Sequence, residues 1–166
     1  RTPNVMLHYY NKMPQKTVED FRNFWFHTGD AGRMDKDGYI YFVDRVKDYL
    51  RCKGENISSF EVEKTVGSHP DVEESGAVGV KAESGRYAED ELMIVVVPKK
   101  GKTIDPIKLI KFLEPKMPYF MIPRFIRFEK SLPKTGTLRV QKNKLREKGI
   151  TKDTWDMKKA GYKVKR

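Results

Sequence analysis

The chain has 166 residues, 38% of them hydrophobic and 11% aromatic, with a formal net charge of +11. Such a composition excludes a disordered chain and leaves room for one domain with its own core plus a smaller appended piece. No apolar run approaches the roughly 20 residues that span a bilayer, no signal-peptide core opens the sequence, and the single Cys52 excludes an internal disulfide framework, which together point to a reducing, cytoplasmic compartment.

Residues 1–44 read as loop and short strands. Asp35, Lys36, Asp37 and Gly38 give a turn signal before the β-prone run Tyr39-Ile40-Tyr41-Phe42-Val43. A dense charge cluster follows, Asp44-Arg45-Val46-Lys47-Asp48, and marks the candidate domain boundary. Tyr49 to Gly54 reads as a short strand ending in a glycine turn. Ser58 then caps a helix, with Glu61 three residues on completing a capping box and Ile57 and Val62 placed for a hydrophobic staple. Val62, Thr65, Val66 and His69 share one helical stripe, which Pro70 brings to an end. Val72–Val80 and Leu92–Val97 are predicted strands. The second is almost wholly apolar and so belongs at the centre of a sheet, and the stretch from Glu83 to Asp90 between them is a polar loop. Asp105 caps a second helix with Pro106 in its first position and Ile107, Ile110 and Leu113 on one face. Pro115 and Pro118 close it. Pro123–Phe128 is a further strand, and Asn143–Lys148 a short charged helix ahead of a basic tail over 149–166, which either lacks order or forms a final helix. Helices interleaved with at least three strands predict a small α+β or α/β domain.

Charge is unevenly placed. Residues 1–98 carry 13 Lys+Arg against 17 Asp+Glu, and residues 99–166 carry 21 against 6. A solvated lysine-rich surface explains this, as does a surface for nucleic acid or phosphate-bearing cofactors. The aromatics Tyr119, Phe120, Phe125 and Phe128 would suit nucleic acid, but they alternate with Met121, Ile122 and Ile126 as core residues do, and no nucleic-acid fingerprint accompanies them. His8, His27 and His69 lack ligand-like spacing, so no metal site is read.

Taken singly, Thr28-Gly29-Asp30 is a turn, Asp44-Arg45 with Lys47-Asp48 an ion-pair cluster, and Leu132 to Thr137 a loop. Their order is more informative. Tyr9-Tyr10-Asn11, Trp25-Phe26-His27-Thr28-Gly29-Asp30, Asp37-Gly38-Tyr39, Asp44-Arg45-Val46-Lys47-Asp48, Lys53-Gly54, Glu61-Val62-Glu63, His69-Pro70-Asp71-Val72 and Leu132-Pro133-Lys134-Thr135 follow one another. This series resembles the adenylate-forming superfamily of acyl-CoA synthetases, peptide-synthetase adenylation domains and luciferases, from about residue 5 to 148.

The resemblance implies a carboxylate attacking the α-phosphate of ATP, accompanied by Mg²⁺, to give an acyl-adenylate and pyrophosphate. A rotation then lets a thiol, often coenzyme A, take the acyl group. It implies an α+β chain: residues 1–46 as the edge of a large ATP- and acid-binding domain, then a mobile C-terminal domain over 47–148 with a sheet of about three strands flanked by helices. The remainder of that large domain and a small carboxylic acid are the implied partners, with no nucleic acid and no membrane span, and the present chain would be inactive alone. Asp30 matches the aspartate that accepts from the ribose hydroxyls, and Arg45 the arginine beside the nucleotide. Lys47 matches the hinge, where the backbone absorbs a large change. Lys53-Gly54 matches the loop facing the pantetheine tunnel, where glycine permits close approach of the backbone.

The final motif departs from the family pattern. Pro133-Lys134-Thr135-Gly136-Thr137-Leu138-Arg139 puts Leu138 in the usual glycine slot and Arg139 in the slot of the catalytic lysine, whose charge bridges carboxylate and α-phosphate. Arginine keeps the charge in a different shape. Three readings stay open: Arg139 does the work, Lys134 or Lys142 substitutes, or adenylation is slow. The run Thr137 to Lys142, with Trp155-Asp156, is similar to crotonobetaine/carnitine-CoA ligases. A carrier protein is the alternative acyl acceptor. No carrier serine motif follows residue 148, which favours a freestanding ligase using coenzyme A.

Overall fold

The computed structural model describes residues 14–23, 25–52, 54–81 and 90–164. Val5, Tyr9, Tyr10, Asn11, Lys53 and most of the 83–90 loop lie outside them. The chain divides into two compact units, Arg1–Lys47 and Asp48–Arg166.

In the first unit a short helix α1 (Pro14–Asp20) precedes β1 (Phe21–Arg22) and β2 (Trp25–Phe26), which pair antiparallel. A second hairpin joins β3 (Asp30–Met34) to β4 (Ile40–Arg45). Its turn is organised by Asp35, whose Oδ1 accepts from the amides of Asp37 at 3.0 Å and Tyr39 at 2.9 Å, while Oδ2 accepts from the Tyr41 hydroxyl at 2.9 Å. Desolvation pushes the Asp35 carboxyl up, but the bonds from Tyr39, Tyr41, Asp37 and Gly38 outweigh it and hold it below the usual carboxylate range. A bulge at Ala31/Gly32 twists the ribbon. A Cβ on Gly32 would meet the Tyr41 carbonyl oxygen at 3.0 Å, which is why no side chain sits there.

The second unit opens with the hairpin β5 (Tyr49–Cys52) and β6 (Glu55–Ser58). Helix α2 (Ser59–Gly67) starts where its sequence signal stands, with Ser58 Oγ accepting from the Glu61 amide at 3.3 Å. Val62 and Val66 are fully buried, and His69, beyond the helix end, packs edge-on against Phe112 at 4.8 Å. The main sheet uses β7 (Val72–Lys81), β8 (Asp90–Pro98), β9 (Phe125–Phe128) and β10 (Trp155–Asp156) in the order β10-β9-β8-β7. Strands β7 and β8 are antiparallel, β8 and β9 parallel, and β9 and β10 antiparallel. A parallel pair cannot be closed by a hairpin. The connection from β8 to β9 therefore carries helix α3 (Pro106–Leu113), capped by Asp105 Oδ1 on the Lys108 amide at 2.8 Å with Pro106 in its first turn. Leu109, Ile110 and Leu113 are its buried residues, so Leu109 takes the inner place expected of the half-buried Ile107.

Strand β8 is central and buried on both faces, as its unbroken apolar run requires. Alternation sends Leu92, Ile94 and Val96 into a core with α2 and α3 residues, and Met93, Val95 and Val97 into a second core with Leu132 and Leu145. Leu145 belongs to helix α4 (Lys142–Lys148), whose approach to the sheet depends on Gly76: a Cβ there would stand 2.8 Å from Leu145 Cδ1.

The fold is thus α+β, with a four-stranded main sheet instead of about three strands. The fourth is β10, within the stretch expected as a basic tail or final helix. Residues 149–164 return to the sheet edge because Arg124, itself nearly buried, binds Asp156 at 3.3 Å and Glu91 at 2.9 Å. Met157 packs on the first core, and the Tyr162 hydroxyl donates to Glu114 at 3.1 Å.

Candidate functional site

Asp30 and Arg45 lie fifteen residues apart in sequence but face each other as register partners at the open end of the β3–β4 hairpin. Arg45 Nε stands 2.9 Å from Asp30 Oδ1, with the side chains 50% and 35% exposed. The preceding turn fixes the carboxylate: the Asp30 amide donates to Thr28 Oγ1 at 3.1 Å, Gly29 holds φ +75°, and the Val46 amide donates to the Gly29 carbonyl at 2.9 Å. The pair presents a carboxylate acceptor and a guanidinium donor side by side on the β3–β4 ribbon. That donor set fits a ribose diol next to a phosphate.

Lys47 is the middle residue of a 3-10 turn over Val46–Asp48 and the last residue of the first compact unit. Gly54 holds φ +80° between β5 and β6, and nothing lies within 4 Å of a Cβ placed there. Its backbone conformation, with no crowding neighbour among the described residues, is what calls for glycine. Lys53 lies outside the described residues.

The last motif forms a closed turn. The Thr135 amide donates to the Arg139 carbonyl at 2.8 Å, the Leu138 amide to the Thr135 carbonyl at 2.9 Å, and the Arg139 amide to Thr135 Oγ1 at 3.2 Å. Below it the Gln141 amide donates to the Pro133 carbonyl at 2.8 Å and Lys134 bridges Val140. Leu138, in the slot usually held by glycine, adopts φ +62° and is 77% exposed.

The three candidate cations are placed differently. Lys134 pairs with Glu74. Lys142 Nζ reaches Ser59 Oγ at 2.7 Å and Glu63 Oε1 at 3.0 Å. The exposed Arg139 guanidinium has no hydrogen-bond or ion-pair partner among the described residues. Of the three, Arg139 alone is uncommitted, and only there is a cation ready to meet an anionic group without breaking an existing pair.

Sequence reasoning missed two charged clusters. One joins Lys142 and Arg146 to Asp48 and Glu63. The other centres on Arg127, which is wholly buried within β9. Its Nη1 donates to the Gly149 carbonyl, its Nε lies 3.1 Å from Glu129, and Glu129 also pairs with Lys148. Neither is complete within one local stretch: Asp48 and Glu63 stand far from α4 in sequence, and Gly149 and Lys148 are about twenty residues from the Arg127–Glu129 pair. The sole hint at Arg127 was a charge inside an otherwise apolar strand.

Of the four aromatics suited to nucleic acid, Phe125 is buried in the second core and Phe120 and Phe128 pack against the first, whereas Tyr119 is 45% exposed. Among the described residues no cluster of three or more His, Cys, Asp or Glu could hold a metal ion, and no helix is long and apolar enough to cross a membrane.

Residues 61–138 match the family of AMP-binding enzyme C-terminal domains. A probable CoA ligase of Humulus lupulus is 37% identical over 142 residues, 86% of this chain and 26% of the relative. A fatty acid–acyl-carrier-protein ligase of Streptomyces coeruleorubidus is 35% identical, over 89% of this chain and 28% of that protein. The crystal structure of ATP-bound MatB from Rhodopseudomonas palustris superimposes with a TM-score of 0.77 and 35% identity, covering 89% of this chain and 29% of MatB. The chain therefore spans between a quarter and three tenths of the length of these relatives. With that likeness in both sequence and fold, the chain belongs to the adenylate-forming, AMP-binding enzyme family and corresponds to its C-terminal portion.

Proposed function

We propose that the chain is the C-terminal part of an ATP-dependent acyl-CoA ligase, which converts a carboxylic acid, ATP and coenzyme A to acyl-CoA, AMP and pyrophosphate through an acyl-adenylate. The observation that carries this reading is the uncommitted Arg139 at the tip of the Thr135–Arg139 turn, in a chain whose relatives include named CoA ligases. Arg139 would stabilise negative charge shared by the substrate carboxylate and the α-phosphate as they approach. Asp30 would accept from the ribose hydroxyls, and Arg45 would both orient Asp30 and donate to the nucleotide. Residues 1–46 would form the edge of the ATP- and acid-binding domain. Lys47 would be the hinge by which the 47–148 domain exchanges one face for another, and Lys53 with Gly54 would face the thiol.

Mg²⁺ is expected with ATP. The described residues offer no ligand cluster for it, so its ligands would come from ATP and from other groups. Cytoplasmic location is the setting that fits a reduced, buried Cys52. Catalysis would need the acid-binding domain as well, so this chain alone would be inactive.

A carrier-bound thiol is the second acceptor to test, because one relative is a carrier-protein ligase. Carnitine and crotonobetaine belong in the substrate panel on the strength of residues 137–142. Trp155 and Asp156 add no support, since their contacts are those of β10 with β9 and Arg124.

The test is to incubate the complete polypeptide with ATP, Mg²⁺, coenzyme A and a panel of carboxylic acids, and to detect AMP and acyl-CoA by mass. Matched amounts of both with one acid are expected. Arg139→Ala should cut acyl-adenylate formation by about 10²–10³-fold, and thioester formation from supplied adenylate far less. Equal loss in both steps would remove Arg139 from the adenylation role.

A further inference from the structure

Lys142 opens α4 three residues after Arg139, and its side chain is 13% exposed. Besides Ser59 Oγ and Glu63 Oε1, its Nζ stands 4.0 Å from Asp48 Oδ2. One helical turn on, Arg146 Nη2 bonds the other oxygen of Asp48 at 3.0 Å. Two cations spaced i, i+4 on α4 thus face the residue that immediately follows Lys47. Glu63 is itself held, since its Oε1 accepts from the Ala77 amide of β7 at 2.8 Å. All of these groups belong to the second compact unit.

An isolated, exposed ion pair would contribute little to geometry. This cluster differs in being largely shielded and in joining three elements, so each partner restrains the next. The backbone bonds that close the Arg139 turn lie within the turn and its own stem. After Arg139, Lys142 is the first polar side chain that ties the segment to α2 and to Asp48.

We propose that Lys142 is a positioning residue: through Ser59, Glu63 and Asp48 it sets where the Arg139 turn stands relative to α2 and to Asp48 at the start of the second unit. It holds the turn in place from outside the reacting atoms, so it is no spare for Arg139. The inference rests on the ligase reading above for its kinetic consequence and on the contacts alone for its structural one.

Two measurements separate these. In hydrogen exchange on the 166-residue chain, Lys142→Met should speed the Leu138 and Gln141 amides by about tenfold or more, with the β7–β8 amides unchanged, and Lys142→Arg should stay near the parent. In the complete polypeptide, Lys142→Met should lower acyl-adenylate formation about tenfold more than acyl transfer from supplied adenylate, and Asp48→Asn should shift the ratio the same way. Unchanged exchange at the turn would overturn the proposal. So would a uniform acceleration through β7 and β8, which would make Lys142 merely structural. If the parent polypeptide forms no acyl-adenylate from any acid, the ligase reading fails, while the exchange data still decide the anchoring.

Discussion

At position 138 a leucine holds φ +62° with 77% of its surface exposed. Left-handed backbone costs an L-residue roughly 1–2 kcal/mol, and glycine's greater freedom in the unfolded chain offsets part of any relief. Leu138→Gly should therefore stabilise the chain by about 0.5–1 kcal/mol in urea unfolding. A clear loss of stability would mean that the leucine side chain makes a contact worth more than the strain. Replacing Gly54, at φ +80°, by Ala works in the opposite sense and should cost about 1–2 kcal/mol. These two positions also show what single residues reveal in advance. A glycine in a turn announces positive φ, whereas a leucine in the same conformation gives no such notice, and only the mismatch with the family motif drew attention to it.

At the scale of elements, α4 lies against β7 where Gly76 leaves room for Leu145. Gly76→Val should cost about 1–3 kcal/mol by overpacking, and adding Leu145→Ala should return part of that loss in a double-mutant cycle. Independent, additive losses would show that the helix does not rest on this strand. Strand β10 should respond to pH. Burial alone would raise the Asp156 carboxyl, but the Arg124 guanidinium and the amides of Lys158 and Lys159 hold it below its ordinary 3.8. A carboxyl with a lowered folded pKa contributes stability that is complete above 3.8 and is lost as pH falls through the folded value. Trp155 fluorescence should accordingly report loosening of this edge in acid, and Asp156→Asn should flatten that acid limb. An unaltered acid limb would show that Asp156 is not the controlling group.

Over the whole chain, the first unit exposes Trp25, Met34, Tyr39, Ile40, Phe42 and Val46. The sequence led us to expect exposed apolar surface around Val5, Tyr9, Trp25 and Phe26, of which Val5 and Tyr9 lie outside the described residues. Trp25 is exposed, Phe26 is half-buried, and most of the apolar surface lies on the β3–β4 hairpin instead. Apolar exposure of this kind favours association. The 166-residue chain should give a concentration-dependent sedimentation coefficient, and Ile40→Lys with Phe42→Lys should abolish that dependence. A monomer at all concentrations would show that this surface is not sticky enough to matter. The basic half offers a separate check: tight, steeply salt-dependent binding of arbitrary DNA or RNA would reopen the nucleic-acid reading.

What could be read without coordinates was local in origin. Ser58 and Asp105 cap helices by bonds to amides three residues away, and the run from Leu92 to Val97 announces a strand covered on both faces, because each signal is complete within one turn or one strand. The family was legible for a different reason, the order in which motifs that say little singly follow one another along the chain. Other features depend on residues that meet only after folding. Trp155-Asp156 become a strand because Arg124, 32 residues earlier, stands across from them. Lys142 is taken out of contention as a free cation by Ser59, 83 residues away. The caps, the central strand and the family were thus legible in the residues alone. Which cation has no partner among the described residues, and how residues 149–164 are held, came from the fold, because charge pairing depends on distance in space and buried charges must find their partners wherever the fold brings them.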